Sequence, residues 1–153
     1  LSLPSLPPIV WTALYDEFEI YMYTNISLVS FDPGYDDASR SLRDVSCSDG
    51  LNGLITKYHW ETQGQISRFP YIGGVQGTTW NSASCGACYK LEFAGRSIHV
   101  LGIDAAYNGG LNIGLHALNN LTNGNAVAWG HVDATVTQVS GQDCGLPNAH
   151  KAN

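Results

Sequence analysis

Hydrophobic and polar residues alternate along three stretches of this chain, Cys88 to Phe93, Arg96 to Asp104 and His131 to Val139, each bounded by glycine or an Asn-Gly pair. A period of two is the signature of strands with one buried face, so these stretches predict the main sheet. A shorter strand is predicted from Leu28 through Phe31, ended by the turn residues Asp32-Pro33-Gly34. The period changes in two places. Asp36 to Arg43 reads as a brief helix, and Asn112 to Leu121 puts Ile113, Ala117, Leu118 and Leu121 on one helical face, with Asn112 as N-cap and Asn123-Gly124 as the stop. The pattern predicts a mainly β protein with one or two short helices.

At 153 residues the chain accommodates one compact domain. Residues 1–26 differ from the rest: a Pro-rich start, Leu1-Ser-Leu-Pro-Ser-Leu-Pro-Pro8, runs into an aromatic and acidic stretch. This segment reads as a disordered or artefactual extension of a domain covering residues 27–153, and also as a possible polyproline docking arm. Asp16, Glu17 and Glu19 interrupt its apolar centre and no basic residue precedes them, so it does not read as a secretory signal, which is expected to be missing.

Charge narrows the partners. The formal net charge is −6 and the seven Lys and Arg are scattered singly, which excludes a phosphate-tracking nucleic-acid surface. No apolar run reaches the roughly 18 to 20 residues of a membrane-spanning helix, so no membrane insertion is expected. Uncharged ligands, neutral sugars among them, remain compatible.

Four cysteines suit two disulfides in an oxidising compartment. Cys85-Gly-Ala-Cys88 admits a redox, a zinc and a structural reading. A redox pair should open a helix, yet Tyr89-Lys-Leu-Glu-Phe93 continues as a strand. Zinc would require Cys47 and Cys144 to converge on the same point, and the five histidines supply no finger-like pair. Structural half-cystines fit best, in any of three connectivities. If Tyr89, Leu91 and Phe93 face inward, Cys88 shares the outer face with Lys90 and Glu92, where a C-terminal tail carrying Cys144 is within reach.

Among the carboxylates Asp104 stands out, because Ile98, Val100 and Gly102 precede it at period two on the face expected to be buried. At the open end of that strand, beside the Gly109-Gly110 turn, it is placed to accept hydrogen bonds from sugar hydroxyls or an acetamido N–H, or simply to cap the following loop. Tyr107 and Trp80 are candidate aromatic platforms for sugar C–H faces, or ordinary rim and core packing. Glycoside hydrolysis ordinarily requires two carboxylates about 5 to 9 Å apart, and neither Asp44, Asp49 nor Asp133 is singled out as the second. No nucleophile motif, phosphate loop or cofactor signature is present. Asn25-Ile-Ser27 and Asn120-Leu-Thr122 are glycosylation sequons.

Taken in order, Ser30-Phe-Asp-Pro-Gly-Tyr-Asp36, Asp44-Val-Ser-Cys-Ser-Asp-Gly50, Asn52-Gly-Leu54, Ile72-Gly-Gly74, Trp80-Asn-Ser82, Cys85-Gly-Ala-Cys-Tyr-Lys-Leu91, Ile103-Asp-Ala-Ala106, Gly109-Gly-Leu-Asn-Ile113 and Leu121-Thr-Asn-Gly124 resemble the cerato-platanins. The resemblance spans residues 26–145. It implies a six-stranded double-psi β-barrel like the first domain of expansins, with disulfides Cys47–Cys85 and Cys88–Cys144. It also implies a secreted, extracellular or wall-associated fungal protein that binds chitin or N-acetylglucosamine oligomers without hydrolysis. Expansin-like loosening of wall polysaccharide, surface activity and elicitation of plant defences complete what it implies; recognition by a plant receptor or self-assembly at interfaces, with sugar binding secondary, is a rival reading, and no cofactor is expected. The family's groove residues map onto Asp104 and Asn112, with Gly109 and Gly110 between them. The stretch from Asp104 to Asn112 is one residue longer than the family pattern. A weak glycoside hydrolase or transglycosylase using Asp104 as acid is the alternative.

Overall fold

The computed structural model describes residues 25–147, so the readings of the N-terminal extension and of the last six residues lie outside it. Six strands, β1 (Ile26–Phe31), β2 (Ile72–Val75), β3 (Cys88–Phe93), β4 (Arg96–Ala105), β5 (Leu111–Ile113) and β6 (His131–Val139), close into a barrel in the order β1-β5-β2-β4-β3-β6. β1 pairs parallel with β5 and β2 parallel with β4, while the remaining pairs are antiparallel. Three short helices accompany them, α1 (Leu54–Tyr58), α2 (Leu115–Leu121) and α3 (Ala126–Trp129), together with several 3-10 turns. The closed mainly β barrel is as expected, with one helix more than the one or two predicted.

Two hydrophobic interiors share the barrel wall. All six strands send side chains into the first, including Val29, Val75, Leu91, Ile98, Val100, Leu111, Ile113 and Val136, so this cluster is the lumen. Ala117, Leu118 and Leu121 join it from α2, which touches β1, β3 and β4 and closes one mouth. The second cluster lies outside the barrel. Ile72, Cys88, Leu101 and Ile103 supply its floor, and Tyr35, Leu42, Val45, Leu54, Ile66 and Leu146 from the connecting segments cover it. β4 therefore alternates between two dry faces, Ile98 and Val100 inward, Leu101 and Ile103 outward. This double burial explains why its sequence is apolar over so long a run.

Both cystines fasten the outer layer. Cys47 pairs with Cys85 and Cys88 with Cys144, at Cα separations of 5.5 and 5.8 Å. The first staples the segment before α1 to the loop before β3, and the second ties the C-terminal 3-10 turn to β3. Leu91 points into the lumen and Cys88 away from it, as the alternation of β3 predicts.

The two predicted helices differ from what forms. Asp36–Arg43 is not a helix. Instead, 3-10 turns occupy Pro33–Asp36 and Leu42–Asp44, and between them the Asp37 carboxylate accepts from the Ser39 N–H and hydroxyl, a local turn that competes with helix formation. The second helix starts at Leu115, not beside Asn112, which lies in the middle of β5. Its first amides are capped from a distance: both oxygens of Asp36 accept from the Leu115 and His116 N–H groups, at 2.6 and 3.0 Å. The predicted stop is present, with Gly124 donating to the Asn119 carbonyl.

Candidate functional site

Strand register assembles the site. Ser30 of β1 is opposite Asn112 of β5, Asn112 is opposite Gly74 of β2, and Gly74 is opposite Asp104 of β4. Four neighbouring strands thus present one row of positions. Leu111 and Ile113 enter the lumen, so Asn112 faces outward, and Ser30 does likewise beside inward Val29.

Asp104 reaches the same outer face by an irregularity. Simple alternation places it with Ile98, Val100 and Gly102, which look inward. The pairing of β2 with β4 slips between Gly73 and Gly74, so that Ile103 is the extra residue on β4. A bulge of this kind reverses the side on which following residues emerge. The expectation that Asp104 shares the inward face is therefore corrected: its side chain meets Tyr35 and Ser46 of the outer layer.

The carboxylate takes three donors and keeps acceptor capacity besides. Asp104 Oδ1 accepts from the Ser46 and Ala105 N–H groups, each at 2.9 Å, and Oδ2 accepts from the Tyr35 hydroxyl at 2.8 Å. Burial first, and the facing Asp104 carboxylate second, push the Tyr35 phenol well above its ordinary range, so the hydroxyl stays a donor. Gly74 makes room for this contact: a Cβ there would stand 3.1 Å from the Tyr35 hydroxyl and 2.8 Å from the Ala105 carbonyl oxygen. Beside this pair Asn112 accepts from the Ser30 hydroxyl through Oδ1 at 3.0 Å.

Ser30, Tyr35, Asp104 and Asn112 line an open groove of about 230 Å³. Asp104, Tyr107, Gly109 and Asn112 meet there, together with Asp32, Tyr35 and Arg40, which sequence reasoning had not singled out. Asp32 was marked only as a turn residue and, like Tyr35, by its place in the Ser30–Asp36 motif. Tyr107 is 89% exposed on the rim. Gly110 serves the turn rather than the groove: at φ +62° a Cβ would come within 2.1 Å of the Leu28 carbonyl oxygen. Arg40 lies over the Tyr35 ring, 5.3 Å from its centroid.

Trp80 is not brought into this groove. It stands on the neighbouring loop, where its indole N–H donates to Asp49 Oδ1 at 2.7 Å, a bond that holds the Asp49 carboxyl below the usual range. That loop is tied to Asp104 through Ser46, whose hydroxyl donates to the Thr78 carbonyl at 2.6 Å. Among the described residues no cluster of His, Cys, Asp and Glu is arranged to hold a metal ion.

What fold and site define is a cystine-bound β-barrel with a polar, solvent-open groove on its outer wall. The family model of the cerato-platanins matches residues 27–146. An Aspergillus fumigatus protein, "Allergen Asp f 15", is 49% identical over 117 residues, 76% of this chain and 75% of the relative. The crystal structure of cerato-platanin 3 from M. perniciosa is 44% identical, with a TM-score of 0.74 over 79% of this chain and 99% of that one. The solution structure of the fungal elicitor Cerato-Platanin is 36% identical, with a TM-score of 0.68 over 76% and 95%. The chain belongs to the cerato-platanin family. Its two disulfides fit an extracellular protein of this secreted family.

Proposed function

We propose that this protein binds neutral wall oligosaccharides, N-acetylglucosamine oligomers of the chitin type first among them, along the outer row, and does not cleave them. The observation that carries the reading is that strand register brings Asn112 and Asp104 into one row on the wall of a solvent-open groove. Two strand spacings separate the two polar side chains, about 10 Å, and the Tyr35 hydroxyl is seated over Gly74 between them. A sugar chain lying across this floor meets amide and carboxylate groups at its ends and the exposed Tyr107 ring at the rim.

Cleavage is poorly served. Asp32 and Asp104 face the same groove, which is the observation that favours a hydrolase or transglycosylase with Asp104 as acid. Yet Asp104 takes three donors and Asp32 Oδ1 takes the Gly34 N–H at 2.8 Å, so both carboxylates are arranged as acceptors. A general acid must present a proton to the leaving oxygen. Rigid binding without cleavage suits loosening of a polysaccharide network at the wall and, since one structural relative is a fungal elicitor, recognition by a plant receptor.

Asn112→Ala is the direct test. Titration with chitin oligomers should give about tenfold weaker binding, the loss of roughly 1.4 kcal/mol, with an unchanged melting temperature. Equal affinity in the variant and the parent would remove the groove from the binding site. Release of new reducing ends from soluble oligosaccharide would establish the enzymatic alternative.

A further inference from the structure

A second polar surface, lined in part by α2, shares no residue with the groove. Tyr71 is at its centre. The Arg68 guanidinium covers the Tyr71 ring at 4.6 Å from the centroid, and the His116 ring meets it edge-on at 5.8 Å. The Tyr71 hydroxyl accepts from Asn120 Nδ2 at 2.8 Å. Asn120 in turn holds Arg96, whose Nε donates to the Asn120 carbonyl at 2.8 Å and whose Nη2 donates to Asn120 Oδ1 at 3.3 Å. Tyr71, Arg96, His116, Asn119, Asn120 and Asn123 line a hollow of about 430 Å³.

The charges here lack counterparts. Among the described residues the one ion pair is Lys90 with Glu92. Arg68 and Arg96 bond only to carbonyl and amide oxygens, Arg68 through Nε to the His99 carbonyl at 2.9 Å. The nearby Asp36 carboxylate is taken up by the amides of α2. The Arg96 guanidinium thus lines the hollow beside a tyrosine and three asparagines, and the Arg68 guanidinium is stacked on that same tyrosine, both with unused donors.

We propose that this hollow is a second glycan site, for uronate-bearing polysaccharide. A guanidinium fork matches a carboxylate in two parallel hydrogen bonds, while the asparagine amides suit ring hydroxyls. Two arginines are too few for an anionic membrane, which is recognised by clusters of about four to eight basic residues. The site is independent of the chitin groove, and a chain with both bridges neutral and acidic polymers.

Titration with oligogalacturonate at low salt, against its methyl ester and against a chitin oligomer, tests this. The acid form should bind, the ester should not, and binding should weaken steeply as salt rises. Arg96→Gln should weaken binding about tenfold and Arg96→Gln with Arg68→Gln should abolish it, whereas Asn112→Ala should leave it unchanged. Arg96 is exposed and Arg68 half-buried, and unaltered melting temperatures verify that the variants are folded. Equal binding of acid and ester, retention of full affinity in the double variant, or binding to phosphatidylserine vesicles in place of oligogalacturonate would each overturn the proposal.

Discussion

Replacing Asp104 by alanine removes the acceptor for the Ser46 and Ala105 amides and for the Tyr35 hydroxyl. Hydrogen bonds to a charged acceptor contribute about 1.5 to 3 kcal/mol each, and a buried donor left without a partner loses its desolvation energy as well. Tyr35 is only 4% exposed, so its hydroxyl cannot turn to water. The three bonds share one carboxylate and do not add fully, which gives an expected loss of about 3 to 5 kcal/mol. Asp104→Asn keeps an oxygen for the two amides and should lose about 1 to 2 kcal/mol. In urea unfolding at pH 7 the alanine variant should show a lowered midpoint with an unchanged slope, and its melting temperature should fall by roughly 10 to 20 °C. An alanine variant within about 1 kcal/mol of the parent would refute the claim that Asp104 fastens the outer layer to β4. This coupling also means that lost sugar binding in Asp104→Ala cannot be separated from lost structure, which is why Asn112 is the cleaner probe.

Tyr35 makes stability fall at alkaline pH. Its folded pKa is raised above the unfolded value near 10, so its contribution is complete below about pH 10 and is lost as pH rises further. Tyr58 and Tyr89 are raised by burial too and add to the same slope, so Tyr35→Phe should make the alkaline loss of melting temperature shallower without abolishing it. Removing Cys47–Cys85 or Cys88–Cys144 as a serine pair frees loops with sequence separations of 38 and 56, and in the chain-entropy model each should lower stability by about 4 kcal/mol in chemical unfolding. Gly110→Ala forces a Cβ onto the Leu28 carbonyl and should unfold well before Gly109→Ala, whose Cβ finds no atom nearer than 3.8 Å. A smaller melting-point loss for Gly110→Ala than for Gly109→Ala would contradict the role given to that turn.

The long strands were legible because each carries alternation over most of its length, β4 up to its change of sides at Ile103. β2 and β5 were not, for a physical reason: at four and three residues they are too short to show a period, and the Gly73-Gly74 pair of β2 reads as a turn. Asn112 looked like a helix cap because the cap that α2 actually uses, Asp36, lies 79 and 80 residues away from the amides it serves. No local signal carries that information. Asp104 was recognisable as a residue at the open end of a strand, but its face was misjudged, since a bulge is set by pairing with β2 and not by the sequence of β4 alone. Asp32, Tyr35 and Arg40 enter the groove from a connection whose path depends on the outer core. Trp80, plausible by residue type and 59% exposed, stands outside the groove with its indole N–H on Asp49.

β4 has a single admissible alignment, because a slip of one residue would expel Ile98 and Val100 from the lumen at the same moment as Leu101 and Ile103 from the outer layer. The change of sides at Ile103 is thus fixed by the whole length of the strand. Grafting the Asp104–Asn112 loop alone onto another barrel would carry over the residues but not their direction. An engineer wishing to move this groove would have to transplant the crooked strand and its neighbour β2 along with it.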